Sequence, residues 1–344
     1  MMYMKFMKFM TFVTLFGALP PLTLDPPAAA PPSTPPVAAP VAAPVTVPPP
    51  VGAPLQYAAQ YLTKRITIDG KLNDEAWKEI RWTEDFIDIE GSSKPAPRYR
   101  TRVKMAWDER CFYIAAELEE PDVWATYRTH DEIVFHEPDF EIFIDPDGDT
   151  RAYYEIEVNC LGTIFDLYLH RTYRDGGPAV HGWNCAGLHT GIDVIGSMND
   201  PRDDDQRWTL EWAIPWSGLQ PPVDAAFAPD TNETARAGAA PKPGDTWRVN
   251  FSRVQWKHNF EELDASGRRI GPKRPPGPLP INDNIRQAAP PSYEKVKGAP
   301  EDNWVWSSQG AIDMHLPDRW GRVSFIKERA SPALRPDPAH PHAP

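Results

Sequence analysis

The side chains of Tyr153–Asn159 sort cleanly onto two faces. Tyr154, Ile156 and Val158 point one way. Tyr153, Glu155, Glu157 and Asn159 point the other, because strand side chains alternate with period two. The run before it, which opens at Asp139, is also strand-like, and an acidic turn joins the two. The same rhythm recurs along the chain. Val103, Met105 and Trp107 alternate with Arg102, Lys104 and Ala106, and Asp108-Glu109-Arg110 turns the chain into Cys111–Leu118, a hairpin signal. Further strands are predicted over Thr163–Leu169, Arg207–Ile214, Trp247–Ser252 and Gly321–Ile326. In Arg207–Ile214 the tryptophans Trp208 and Trp212 share a face with Leu210 and Ile214, and Trp77, Trp208, Trp212 and Trp247 are read as core. One short helix is predicted at Asp74–Ile80, with Asn73 as its N-cap. Gln220–Lys242 and Lys257–Pro300 break the rhythm with Pro, Gly, Ala and charge, and read as long loops. Many short strands separated by turns predict an all-β, antiparallel, jelly-roll-like β-sandwich with long Pro-rich loops.

Composition narrows the folded part. Lys5 and Lys8 precede an apolar run through Phe9–Leu19, so residues 1–24 have the layout of a secretory signal. Pro20 and Pro21 interrupt that run, which favours export over a spanning helix. The expected location is periplasmic, cell-surface or extracellular, with a membrane partner only if the signal stays uncleaved. Residues 25–54 are Pro, Ala and Val with almost no charge, and read as a disordered, semi-rigid tether. Residues 57–327 are left for one β domain, and 328–344 for a disordered tail. A formal charge of -12 argues against nucleic acid as a partner. The three cysteines, Cys111, Cys160 and Cys185, allow one disulfide at most, and three free thiols are the equal alternative.

Several segments in order resemble a known family. Ile68-Asp69-Gly70-Lys71-Leu72-Asn73-Asp74-Glu75-Ala76-Trp77 looks like the opening of the family 9 carbohydrate-binding modules and their relatives in the DOMON-like sandwich superfamily. Val103–Tyr113 resembles that family's hairpin, Asp139–Asn159 its acidic strand pair, and Trp208–Pro215 its late strand. Asn303-Trp304-Val305-Trp306, Met314-His315-Leu316-Pro317 and Trp320-Gly321 look like the closing segment of a bacterial subgroup. The resemblance implies a non-catalytic β-sandwich that binds oligo- or polysaccharide beside enzymes of polysaccharide breakdown. Sugar-binding members clamp a terminal sugar between two tryptophans, and this chain has Phe135 and Met314 at those positions, so the resemblance implies the place of the pocket but not the clamp. Glu141 and Asn159 match family positions, and Glu157 stands where the family carries an arginine. Trp124, Trp304 and Trp306 are alternative stacking platforms.

The chemistry of sugar binding fits these residue types. Hydroxyls need carboxylate, amide or guanidinium partners, and apolar ring faces stack on aromatics. If the strands pair as the resemblance suggests, Glu141, Glu155, Glu157, Asn159, Glu211, Arg248 and Asn250 share one sheet face. Asp145, Asp147 and Asp149 alternate around Gly148 like calcium ligands, although the later bidentate glutamate of an EF-hand is missing. A plain solvated turn is the preferred reading of them. Two other functions are kept as alternatives. One is glycoside hydrolysis by Glu155 and Glu157, roughly 6.5–7 Å apart along their strand. The other is haem-mediated electron transfer through Met314, His315 and His258.

Overall fold

The computed structural model describes residues 52–222, 238–260 and 292–327. The predicted secretory signal, nearly all of the tether, the tail and the middle of both long loops lie outside them. Among the described residues the chain is almost all strand: β1 (Gln56–Tyr61), β2 (Ile87–Asp88), β3 (Thr101–Trp107), β4 (Cys111–Glu119), β5 (Asp139–Asp145), β6 (Tyr153–Asn159), β7 (Ile164–Leu169), β8 (Ala179–Val180), β9 (His189–Ile195), β10 (Arg207–Pro215), β11 (Thr246–Gln255), β12 (Asp302–Val305) and β13 (Gly321–Ile326). The one α-helix among the described residues, α1, is short (Glu75–Glu79). Its N-cap is Asp74 rather than the expected Asn73, and the Asp74 carboxylate accepts a hydrogen bond from the Thr67 amide instead of capping the helix. No helix there is long and apolar enough to cross a membrane.

The main path of the sheet runs β8-β7-β6-β5-β11-β13-β1-β3-β4-β10-β9, with β12 pairing with β11 and β2 beside it. The sheet curls until its two halves face each other across one core. Phe140 of β5 meets Trp212 of β10 with ring centres 5.7 Å apart, and Phe251 of β11 stacks 5.8 Å from Phe140. Trp77, Trp208, Trp212 and Trp247 all belong to this core. Pairing is antiparallel except at β1, which runs parallel to both β13 and β3. The expected all-antiparallel sandwich is thus a mixed sheet, in which β1 runs the same way as both of its neighbours. All three cysteines are free thiols.

Buried polar groups lock the outer parts onto the sheet. The Glu211 carboxylate on β10 accepts from the Asp69 and Gly70 amides (2.9 and 2.8 Å) and from Trp77 Nε1 (2.7 Å). It thereby ties the opening segment to the outside of the β3-β4-β10-β9 half. Only glycine permits the close approach beside it. Gly70 has φ +85°, and a Cβ there would lie 2.4 Å from the Ile192 carbonyl carbon. A second close approach sits at the start of β13, where a Cβ on Gly321 would lie 2.2 Å from the fully buried Trp306 ring. Gly321→Ala is therefore expected to cost about 1–3 kcal/mol by overpacking, read as a lower urea midpoint with unchanged slope.

Candidate functional site

The polar face of β5 and β6 faces away from the inter-sheet core. Its register places Glu141 directly across from Glu157, Asp139 across from Asn159, and Phe143 across from Glu155. A second apolar cluster covers the rest of this face, including Phe143, Tyr153, Leu167, Met314 and Trp320. The segment after β12 lies over it and is held by backbone contacts. The Asn250 side chain brackets Ser307, donating to its carbonyl (2.8 Å) and accepting from its amide (2.9 Å). Arg248 donates to the Pro317 carbonyl and to Asp318 (both 3.0 Å), and Trp320 Nε1 donates to the Met314 carbonyl (2.8 Å). Arg248 and Asn250 share the predicted face, but they hold this covering segment in place instead of pointing at a ligand.

Between the sheet and the covering segment lies an open cavity of about 420 Å³. Glu141, Glu155 and Glu157 form its floor, with Phe143, Phe165 and Leu167 beside them. Met314 and His315 come from the covering segment, and Ile133 and Phe135 from the Val134–His136 turn, which is anchored by buried Val134. Five large apolar side chains are exposed among the described residues, and four of them, Ile133, Phe135, Tyr173 and Ile312, line this one cavity. His315 bridges wall and floor. Its Nδ1 lies 2.9 Å from the Tyr153 hydroxyl, and its ring meets Tyr173 edge-on at 4.5 Å.

The electrostatics of the floor are one-sided. Burial lifts the Asp139 and Glu155 carboxyls well above the usual range, and the Glu141 charge adds to both shifts. Glu157 is raised in the same way, by burial and then by Glu141, Asp139 and Glu155. Glu141 is pushed up to about 7 by burial, against a hydrogen bond from Ser252. Burial also pulls His315 down to about 4, so its ring is neutral at pH 7.

The sequence-predicted residues divide. Phe135, Glu141, Glu155, Glu157 and Met314 come together in the cavity. Asn159 does not reach it. Its side chain donates to the Tyr127 carbonyl and accepts from the Leu161 and Thr163 amides, shaping the turn after β6. The three tryptophan platforms are buried elsewhere. Trp124 stacks on Tyr293, Trp304 lies under the Arg253 and Arg98 guanidiniums, and Trp306 packs against Tyr57 and Phe251. Glu211 sits on the outside of the opposite half of the sheet. Asp145, Asp147 and Asp149 each offer an oxygen within 4.8 Å of the others, but Asp145 spends both oxygens on the Gly148 and Thr150 amides of its own turn. Of the proposed haem ligands, His258 lies apart, with Nε2 3.1 Å from Asp122 and Nδ1 accepting from the Phe260 amide. That leaves Met314 and His315, adjacent on one wall and unable to bracket a metal from two sides. Residues missed by the sequence reading are Ile133, Tyr173 and Ile312, which sit in irregular segments that carry no periodic signal.

Residues 68–169 match the family described as carbohydrate family 9 binding domain-like. A proposed carbohydrate-binding protein from Bacteroides uniformis is 14% identical, with 79% of this chain and 100% of that chain covered and a TM-score of 0.50. At that identity the likeness is one of fold. A family 9 carbohydrate-binding module from Caldicellulosiruptor kristjanssonii, solved with cellotriose and with glucose, aligns at 14% identity over 82% of this chain. The alignments cover 98% and 100% of those chains, with TM-scores of 0.42 and 0.43. No curated protein matches. The matched stretch contains the opening segment, the β3–β4 hairpin and the three strands under the cavity, and through it the chain resembles the family 9 carbohydrate-binding modules.

Proposed function

We propose that the cavity over β5, β6 and β7 binds a saccharide, as an oligosaccharide or the end of a polysaccharide, without acting on it chemically. The observation that carries this reading is the gathering of Ile133, Phe135, Tyr173 and Ile312 around an acidic floor. Exposed apolar side chains concentrated in one place mark a binding surface. Here they offer faces for sugar C–H groups, while the carboxylates below accept from hydroxyls. The charged start and apolar run of residues 1–24 support export, and the family resemblance supports work beside enzymes of polysaccharide breakdown.

Calorimetry of the whole protein against a panel of mono- and oligosaccharides tests the reading. Phe135→Ala is expected to weaken binding about tenfold, the loss of one aromatic contact. Its melting temperature should stay near the wild type, since Phe135 is 38% exposed. No binding to any saccharide, with native circular dichroism, overturns the proposal. Undiminished affinity in Phe135→Ala moves the site away from this cavity.

A further inference from the structure

We propose that Asp139, Glu141 and Glu157 hold a hard divalent cation, calcium by size, at the floor of the cavity. One carboxylate oxygen from each lies within 4.8 Å of the others. That envelope matches the span across an ion bound at about 2.4 Å, in the middle of the calcium–oxygen range. A donor set made only of oxygens selects calcium-like ions over zinc or copper. The sheet itself enforces the grouping. Glu141 and Glu157 are opposite one another on adjacent strands, where like charges repel, and Asp139 lies two residues before Glu141 on the same face of β5.

An independent observation points to a missing positive partner. Glu155 stands outside this trio, is only 5% exposed and lines the same cavity, and its Oε2 has no hydrogen-bond donor. Asp139 Oδ2 and Glu157 Oε2 are also buried without a hydrogen-bond donor. After burial, the largest influences on these four carboxyls are other acids, one backbone amide and Ser252. A buried carboxylate without a counter-charge is costly, and a divalent ion relieves several at once. The Asp145 turn differs, because its carboxylates are satisfied by the amides of the turn.

Calcium takes 6–8 oxygens. Asp139, Glu141, Glu157 and Glu155 fill part of that shell from below, and the cavity side is left to water or ligand hydroxyls. In an extension that rests on the saccharide reading, two neighbouring hydroxyls of the sugar complete the shell. The ion then becomes the electrophilic partner that this floor otherwise lacks.

The test uses the whole protein, stripped with EDTA and desalted, then titrated calorimetrically with CaCl2 and in parallel with MgCl2. Wild type and Asp149→Asn are each expected to take up an ion at this floor. Glu157→Gln and Glu141→Gln, both near-isosteric and checked by circular dichroism, are expected to bind calcium at least about tenfold more weakly. No uptake by the wild type overturns the proposal. Unchanged uptake in both glutamine variants, or uptake lost only in Asp149→Asn, does so as well. Saccharide binding that persists in EDTA, with no calcium taken up, removes the ion and leaves the saccharide reading standing. Calcium uptake with no saccharide bound does the reverse.

Discussion

In EDTA at pH 8, Glu141→Gln melts higher than the wild type, by roughly 5–10 °C. Burial raises the Glu141 carboxyl from an unfolded value near 4.5 to about 7, so at pH 8 the folded chain carries a charge it disfavours. The shift corresponds to about 3 kcal/mol, and each kcal/mol moves the midpoint of a domain of this size by about 2–4 °C. Because the folded pKa lies above the unfolded one, the stability that the protonated carboxyl brings is full below pH 4.5. It is lost as pH rises through about 7. The gap between variant and wild type should therefore be absent near pH 4.5 and complete at pH 8. Asp139, Glu155 and Glu157 push the wild type in the same direction. His315 opposes them. Its pKa falls from 6.5 to about 4, so its contribution is present above pH 6.5 and fades as pH drops toward 4. Four raised carboxyls outweigh one lowered imidazole, so in chelator the stability of the wild type should fall as pH rises from about 4.5 toward 7. Thermal melts from pH 4.5 to 8 read all of this. A variant that melts below the wild type at pH 8 would show that Glu141 is stabilised as an anion.

The second large effect lies far from the cavity. Glu211→Ala is expected to destabilise the fold by about 3–5 kcal/mol, more than any cavity variant. Three donors lose their acceptor together: the Asp69 and Gly70 amides and Trp77 Nε1. Glu211 and Trp77 are both fully buried, so water does not readily replace the carboxylate. Glu211→Gln should lie between alanine and wild type, since its amide keeps one oxygen but turns an NH2 toward other donors. Urea unfolding gives the cost, and ligand affinity measured below the transition should be unchanged. A loss under about 1 kcal/mol would mean that the opening segment is held by other contacts.

The contrast between these two glutamates shows what could be read from the sequence. Alternation identified β6 and put Glu155 and Glu157 on its polar face, while Glu141 joined that face only through the family resemblance. It put Glu211 on a polar face with equal confidence of pattern, but period two cannot say which half of a curled sheet that face belongs to. Trp304 and Trp306 failed for a related reason. A strand covered on both sides buries both of its faces, and aromatic content alone does not reveal the cover. β1 escaped notice because Gln56–Tyr61 is short and pairs in parallel with distant partners, so no hairpin signal flanks it. The cavity walls were least legible. Ile133, Ile312 and His315 lie in irregular segments whose position depends on single anchors such as Asn250 and Trp320, and local propensity does not encode those.

The parallel strand β1 also has a kinetic meaning. Gln56 pairs with Arg322 and Gln60 with Ile326, so the first and last strands of the sheet lie side by side. The two halves of the sheet can each build from local hairpins, β3 with β4 and β5 with β6 with β7. Along the strand ladder they join through β1 and β13, whose contact closes almost the whole length of the domain. Contacts of that separation form late and slowly. The rate-limiting event in refolding should therefore be the arrival of the C-terminal strand. Until then, a nascent chain holds its acidic floor on a half-sheet whose apolar back is still exposed to water.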